Sequence, residues 1–512
     1  MKLSENPIFL TQKRLVHRAG VLAAILIAAL IGLSLLSGLI AYLSAPISFG
    51  FRSPQEAGKV FYGWIIGVEI LVLIIGGFGR ISKVLAEDRK AGLLDSNRLT
   101  PLKPAQIVIG YWFGAPLREV YMSAVLAGIG LVVVLLGRLP LTLWFGTQIL
   151  IVSTALFLGL LAVLMGLVIQ RPQNGAVVPA LLIVLLPLFS FIMPKYMLSN
   201  FLLPVYSIVN LFDTRELADE HSFRDWSGSP EIFGVPIPPV VLTLGLQIGI
   251  GIFLWRAAVR KTANPFRSPL FRWEAVVLFG ILLFAQHGLM WGVWHGHFPE
   301  LSVGTRNFAD EAPMLSIVHC GTLLLAAIVL AFASPLPERV RLEALRTGVG
   351  NFPLAFSRSA LPLALVLLAV AGIALLTQCA AEISSNWMIF TVAFGSLLDF
   401  FLVFVLLLEF CRLRFKRRAL GFVCLWLFVL CVLPFILAGV FSEAAIGRLS
   451  LLSPGVLALA NSQGSNDYGS AEPDFLLLIV LAQFGIAVLL FFGWRDQWRR
   501  LFARAAAIPQ AK

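Results

Sequence analysis

The chain has 512 residues, of which 59% are apolar and only 13% charged, against roughly 25% charged in an ordinary soluble domain. With a mean hydropathy of +0.90, this excludes a soluble globular protein. It predicts an all-α polytopic membrane protein, because apolar blocks of ~20 residues cross a bilayer as helix. The net charge of +12 lies in short clusters between those blocks and forms no basic domain, so it reads as membrane topology and not as a nucleic-acid footprint.

In chain order, a basic start carrying Lys13, Arg14 and Arg18 leads into the apolar run Ala19–Leu43. That run is too long for a signal-peptide h-region and has no clear cleavage site, so it is expected to remain as the first span. Further runs follow at Val60–Gly79, Glu119–Gly137, Leu141–Ile169, Ala176–Met193 and Pro236–Trp255. The second half repeats the count with Glu274–Trp294, Ala312–Ala333, Ser359–Thr377, Trp387–Cys411, Ala419–Phe441 and Phe475–Trp494. Twelve spans are predicted, in two six-span halves, 1–260 and 261–512. Asn6-Pro7-Ile8-Phe9 and Asn264-Pro265-Phe266 open the halves, and Leu203-Pro204-Val205-Tyr206 and Ser453-Pro454-Gly455-Val456 precede the last span of each. The pattern fits a duplicated unit, and chance coincidence fits it too.

Lysine and arginine test the count independently, since they favour cytoplasmic loops. Arg52, Lys59, Arg138, Lys195, Arg215, Arg224, Arg306 and Arg448 fall on one set of alternate segments, Arg118 lies in a span region, and the other 30 of 39 fall on the opposite set. Both termini are therefore expected in the cytoplasm, and the longest outer loop, Pro194–Val235, is acidic. No extramembrane segment approaches the roughly 100–200 residues of a nucleotide-binding domain. The only Gly-Lys pair, Gly58-Lys59, is followed by Val60, so the phosphate-binding Gly-x4-Gly-Lys-Ser/Thr loop is absent as well. The chain is not expected to be an enzyme by itself or to hold a cofactor. Any ATP chemistry would come from a partner.

The most informative segment is the cytoplasmic loop Glu87-Asp88-Arg89-Lys90-Ala91-Gly92-Leu93-Leu94-Asp95-Ser96-Asn97-Arg98-Leu99-Thr100-Pro101-Leu102. Its charge run reads as a short amphipathic helix able to pair with complementary charges, which Thr100-Pro101 stops and redirects. A solvated positive-inside loop closed by a proline turn fits the same residues. Gly92, Leu94, Asp95, Thr100, Pro101, Leu102, Ile107 and Gly110 resemble, in register, the first cytoplasmic loop of type-2 ABC permeases, with one residue inserted between Glu87 and Gly92 and with Leu93 where threonine is usual. The resemblance covers about the first 120 residues. It implies that Glu87, Asp88, Arg89, Gly92, Asp95, Thr100 and Pro101 form a coupling loop resting on a separate cytoplasmic ABC ATPase subunit. It further implies ATP and Mg on that partner, a possible second permease chain, and residence in the cytoplasmic (inner) membrane of a bacterium.

Glu69 and Asp399 lie near mid-span, where a charge costs about 2.5–3.5 kcal/mol even on the insertion scale. They read either as substrate, cation or proton sites or as hydrogen-bonded carboxylates joining helices. Arg118 and Glu119 follow Gly114-Ala115-Pro116, which predicts an elbow helix from Ile107 and a salt-bridged hinge before the third span. Glu409 is expected to be solvated beside Arg412. His295, His297 and Glu300 offer metal-binding chemistry without a completing cluster, and so read as interfacial residues. Cys320, Cys379, Cys411, Cys424 and Cys431 have no metal-ligand spacing and read as packing residues. The sequence thus points to the membrane subunit of an ATP-driven exporter, with a twelve-span secondary transporter, its coupling proton on Glu69 or Asp399, as the alternative.

Overall fold

The computed structural model describes residues 5–18, 20–44, 53–168, 198–212, 229–265, 267–294, 329, 333, 360–379, 402–411, 413–414 and 473–506. These residues are almost wholly helical, apart from the two-residue strands Glu231–Ile232 and Val235–Pro236. Five helices among them are long and apolar enough to cross a membrane: Val21–Ala41, Pro54–Lys90, Leu117–Leu136, Leu141–Val168 and Pro239–Ala263. The chain is an all-α, multi-pass membrane protein. The predicted fifth, eighth and eleventh spans lie outside the described residues, apart from the isolated positions 329 and 333.

The chain divides into two compact units, Met1–Pro230 with Val235–Pro265, and Glu231–Gly234 with Phe266–Lys512. The first unit begins with α1 (Pro7–Arg18), whose start is fixed by Asn6. The Asn6 Oδ1 atom accepts from the Ile8 and Phe9 amides at 3.0 and 3.3 Å, and Pro7 loses nothing at a position where helix amides are unpaired. Asn6 Nδ2 also donates to Gln106 O at 2.7 Å, so the cap pins α1 to α6 (Pro104–Gly114). Next comes α2 (Val21–Ser44), one of the spans.

A single rod of 37 residues follows, Pro54–Lys90. It comprises α3 (Pro54–Ile70), a π-helical turn at Leu71–Gly76 and α4 (Gly77–Lys90). Ser53 Oγ caps it by accepting from the Glu56 amide at 3.2 Å, with Pro54 in the first turn. Behind α5 (Leu93–Leu99) and α6, the spans α7 (Leu117–Leu136) and α8 (Leu141–Val168) return. Tyr62, Ile65, Leu126, Val133, Leu150 and Ile151 form the buried centre of α3, α7 and α8, with Ala28 and Leu39 of α2 joined to it. The short helices α9 (Ser199–Leu202) and α10 (Val205–Leu211) precede α11 (Pro239–Ala263), which lies along α8.

In the second unit, α12 (Arg272–Trp294) packs on α13 (Leu361–Cys379), and α14 (Pro473–Ala506) is the last described helix. Glu274 Oε2 closes the start of α12 by accepting from the Phe271 amide at 2.9 Å. Glu409, expected to be solvated, is instead only 2% exposed and accepts from the Ala360 amide at 3.1 Å. A carboxylate that finds an unpaired helix-end amide can be held inside, because hydrogen bonding to the charged form replaces water.

Gly58 of α3 meets Gly137 at the end of α7 backbone to backbone. A Cβ on Gly58 would stand 2.9 Å from Gly137 Cα, whereas one on Gly63 would meet nothing within 4 Å. Gly58→Ala is therefore expected to destabilise the detergent-solubilised protein by about 1–3 kcal/mol through overpacking, and Gly63→Ala to be neutral or slightly stabilising. Thermal unfolding of the two variants side by side checks this.

Candidate functional site

Glu69 sits inside the bundle, two residues before the π-helical turn begins, and is 1% exposed. Its Oε1 accepts from Ser123 Oγ of α7 at 2.7 Å and its Oε2 from Gln148 Nε2 of α8 at 3.0 Å. Gln148's neighbour Thr147 shares a hydrogen bond of 2.5 Å with Tyr62 of α3. The carboxylate thus joins three spans through two donors, which satisfies the requirement that buried charge be hydrogen-bonded. π-turns recur at functional positions in helices, and this one begins two residues after Glu69. Asp399 lies outside the described residues.

A second polar set lies between α8 and α11. Ser153 donates to Gln247 Oε1 at 2.7 Å, and Gln247 Nε2 donates to Thr154 Oγ1 at 2.8 Å and to Leu202 O at 3.1 Å. Ser207 and Thr243 share a hydrogen bond of 2.7 Å. Side chains at span depth are thereby linked across helices that lipid gives no hydrophobic reason to associate.

The loop at residues 87–102 differs from the single mixed-charge helix expected of it. Glu87-Asp88-Arg89-Lys90 form the last turn of α4, Gly92 breaks the helix at φ 77°, and α5 is a separate helix ending at Thr100 before Pro101. The left-handed backbone at Gly92 is where an L side chain is strained. Thr100 Oγ1 closes α5 on Asn97 O at 2.6 Å.

The charges also part company. Glu87 is exposed beside Lys83, 4.0 Å away, but Asp88 turns inward and accepts from Tyr111 OH at 2.7 Å. Burial, reinforced by the Asp88 carboxylate, pushes the Tyr111 phenol well above its ordinary pKa, so it remains a protonated donor. Arg89 Nη1 donates to Leu167 O at 2.6 Å, and Asp95 pairs with Arg98. Half of the charge run therefore serves the subunit's own packing.

What faces outward on α5 is mixed, and two of its exposed side chains are leucines. Leu94 is buried beneath it, whereas Leu93 is 51% and Leu99 90% exposed, with Asp95, Ser96, Thr100 and Pro101 exposed around them. The predicted elbow is present as α6, and the chain turns at Ala115-Pro116 into α7. Its hinge pair is Glu119 with Arg80 of α4, 3.5 Å apart, and not Glu119 with Arg118.

Tyr111, Ser123, Gln148 and Arg98 were not singled out from sequence. Ser123 and Gln148 carried a signal, as polar residues inside apolar runs. Tyr111 and Arg98 carried none, because an aromatic residue in a helix between spans and an arginine in a loop between spans are ordinary there. Among the described residues no group of three or more His, Cys, Asp or Glu could hold a metal, and His295, His297 and Glu300 lie outside them. Compared with family models, curated proteins and solved structures, the chain matches none.

Replacing Glu69 by leucine strands the Ser123 hydroxyl and the Gln148 amide. It is expected to cost about 1–3 kcal/mol of stability. Combining it with Ser123→Ala and Gln148→Leu should recover most of that loss, because both ends of each hydrogen bond are then removed. A mutant cycle read by thermal unfolding checks the coupling.

Proposed function

We propose that this chain is the membrane-spanning permease subunit of an ATP-driven exporter, energised by a separate cytoplasmic ABC ATPase. It would span the membrane twelve times, with both termini in the cytoplasm and the substrate path between its two halves. The observation that carries the reading is α5. It is a seven-residue helix outside the spans that presents Leu93 and Leu99 to solvent, within the segment whose residues resemble the coupling loop of type-2 ABC permeases. An apolar side chain 90% exposed on a short, capped helix is what a protein partner recognises, and buried apolar anchors carry most of an interface's energy. The ATPase would hold ATP and Mg, and the permease itself would have no catalytic residues. A second permease chain fits the same reading where one chain does not complete the path.

Glu69 favours a second reading, a proton- or ion-coupled secondary transporter, because a mid-span carboxylate beside a π-helical turn is a place where a proton or cation could bind. That reading leaves the exposed face of α5 without a role.

Substitution separates the two. Leu93→Asp with Leu99→Asp lies outside the bilayer and should leave insertion and unfolding temperature unchanged while lowering recovery of a co-purified ATPase at least about tenfold. Full recovery of the ATPase by the double variant would overturn α5 as its dock, and the absence of any ATPase from the wild-type preparation, with transport undiminished in the double variant, would favour the secondary transporter.

Orientation is tested by thiol labelling in intact cells after replacement of the native cysteines. Cysteines at Ser96 and Ala263 should resist a membrane-impermeant reagent, and cysteines at Ser227 and Ser465 should react. Labelling at Ser96 from outside would reverse the topology.

A further inference from the structure

The last four carbonyls of a helix have no amide partner within it, and two arginines of the loop supply partners to spans that are not its neighbours in the chain. Arg89, at the end of α4, donates to Leu167 O, the penultimate residue of α8. Arg98, near the end of α5, donates through Nε to Thr262 O at 2.7 Å and through Nη2 to Lys261 O at 3.3 Å. The backbone closes the end of α11 with Asn264 N on Arg260 O at 3.0 Å, and Arg98 takes the next two carbonyls.

Each guanidinium lies at the negative end of a helix dipole, where a cation is favoured. The two arginines repel, and Asp95 attracts both. The Arg98 side chain is 17% exposed, against 69% for Asp95, so Arg98 is part of the packing and not a solvated charge.

These contacts settle how α5 is held. On one side it joins α4 through Gly92, a left-handed residue whose Cβ would meet nothing within 4 Å, and on the other it runs into Thr100-Pro101. The chain alone leaves its position loosely specified. Leu94 and the arginine bonds specify it.

We propose that Arg98, with Arg89 and Asp95, is the tie that carries a displacement of α5 to the cytoplasmic ends of α11 and α8. Arg98 is a positioning residue, acting through helix ends and touching neither nucleotide nor substrate. The transmission role rests on the reading of α5 as the ATPase-docking element. The tie itself does not, and it requires arginine, because two donors of one fork meet two successive carbonyls and a lysine ammonium offers one point of charge.

The test uses the full chain in lipid nanodiscs with native cysteines replaced and spin labels at Ser96 and Ala263. Wild type should give one narrow distance distribution. Arg98→Gln and Arg98→Lys should both broaden it, and Lys83→Gln, which removes an exposed cation of the same loop, should not. A distribution unchanged in both Arg98 variants overturns the tie. With the ATPase bound, labels at Ser34 and Ala263 should shift on addition of a non-hydrolysable ATP analogue. Arg98→Gln should retain the complex but lose at least about half of that shift, while transport per ATP hydrolysed falls severalfold. A full shift in Arg98→Gln overturns the transmission role. Failure of wild type to recover any ATPase overturns the docking reading and the transmission role with it, and the first distance pair still reports whether Arg98 holds α5 to α11.

Discussion

In a bilayer, a backbone or side-chain polar group that leaves water must find its partner in the protein. Within the spans the helices satisfy their own backbones, so the constraint concentrates on helix ends and on the few polar side chains buried between them. The described structure is organised around those places. Asn6 supplies the first amides of α1 and reaches Gln106, Arg89 and Arg98 supply the last carbonyls of α8 and α11, and Ser123 and Gln148 supply the carboxylate of Glu69. Asn6 caps its own helix and reaches a second one, and the other partners come from a different element, so the satisfaction of one group fixes the position of another helix. Association that lipid does not drive is obtained in this way.

The same constraint sorts the loop into two functions. Residues that could have been recognised by a partner through charge, Asp88 and Arg89, are turned inward to Tyr111 and Leu167. The outward surface of α5 carries Leu93 and Leu99 beside Asp95 and Ser96, with Leu94 buried beneath them. Apolar anchors need no complementary pattern of charges to be bound, and the affinity they supply is less sensitive to salt than that of ion pairs.

Much of this architecture was legible in the sequence because length and hydropathy act locally. The runs Leu141–Ile169 and Glu119–Gly137 appear as Leu141–Val168 and Leu117–Leu136, and Pro101 ends α5 where its ring disfavours helix in the preceding residue. The elbow before the third span was readable from Gly114-Ala115-Pro116. The partners were not. Glu119 meets Arg80, 39 residues earlier, and Arg98 meets Thr262, 164 residues later, and no periodicity encodes such pairings. Nor could composition show that Glu409 is buried, since an acidic residue beside Arg412 reads as solvated until the amide of Ala360 is placed against it. Glu69 was found by its depth alone, while its role as the junction of three spans needed the helices to be set side by side.

The π-helical turn at Leu71–Gly76 has a consequence for angular phase. A π-turn holds one more residue than the α-helical turn it replaces, so everything beyond it is rotated by about 100° about the rod axis relative to an uninterrupted α-helix. The rod is 37 residues long, about 55 Å at the α-helical rise, and its far end carries Glu87, Asp88 and Arg89. The direction in which Asp88 finds Tyr111 and Arg89 finds Leu167 is therefore set some twelve residues earlier, inside the membrane. Loss of a single residue within that turn would keep every side chain of the loop and point each of them at the wrong neighbour.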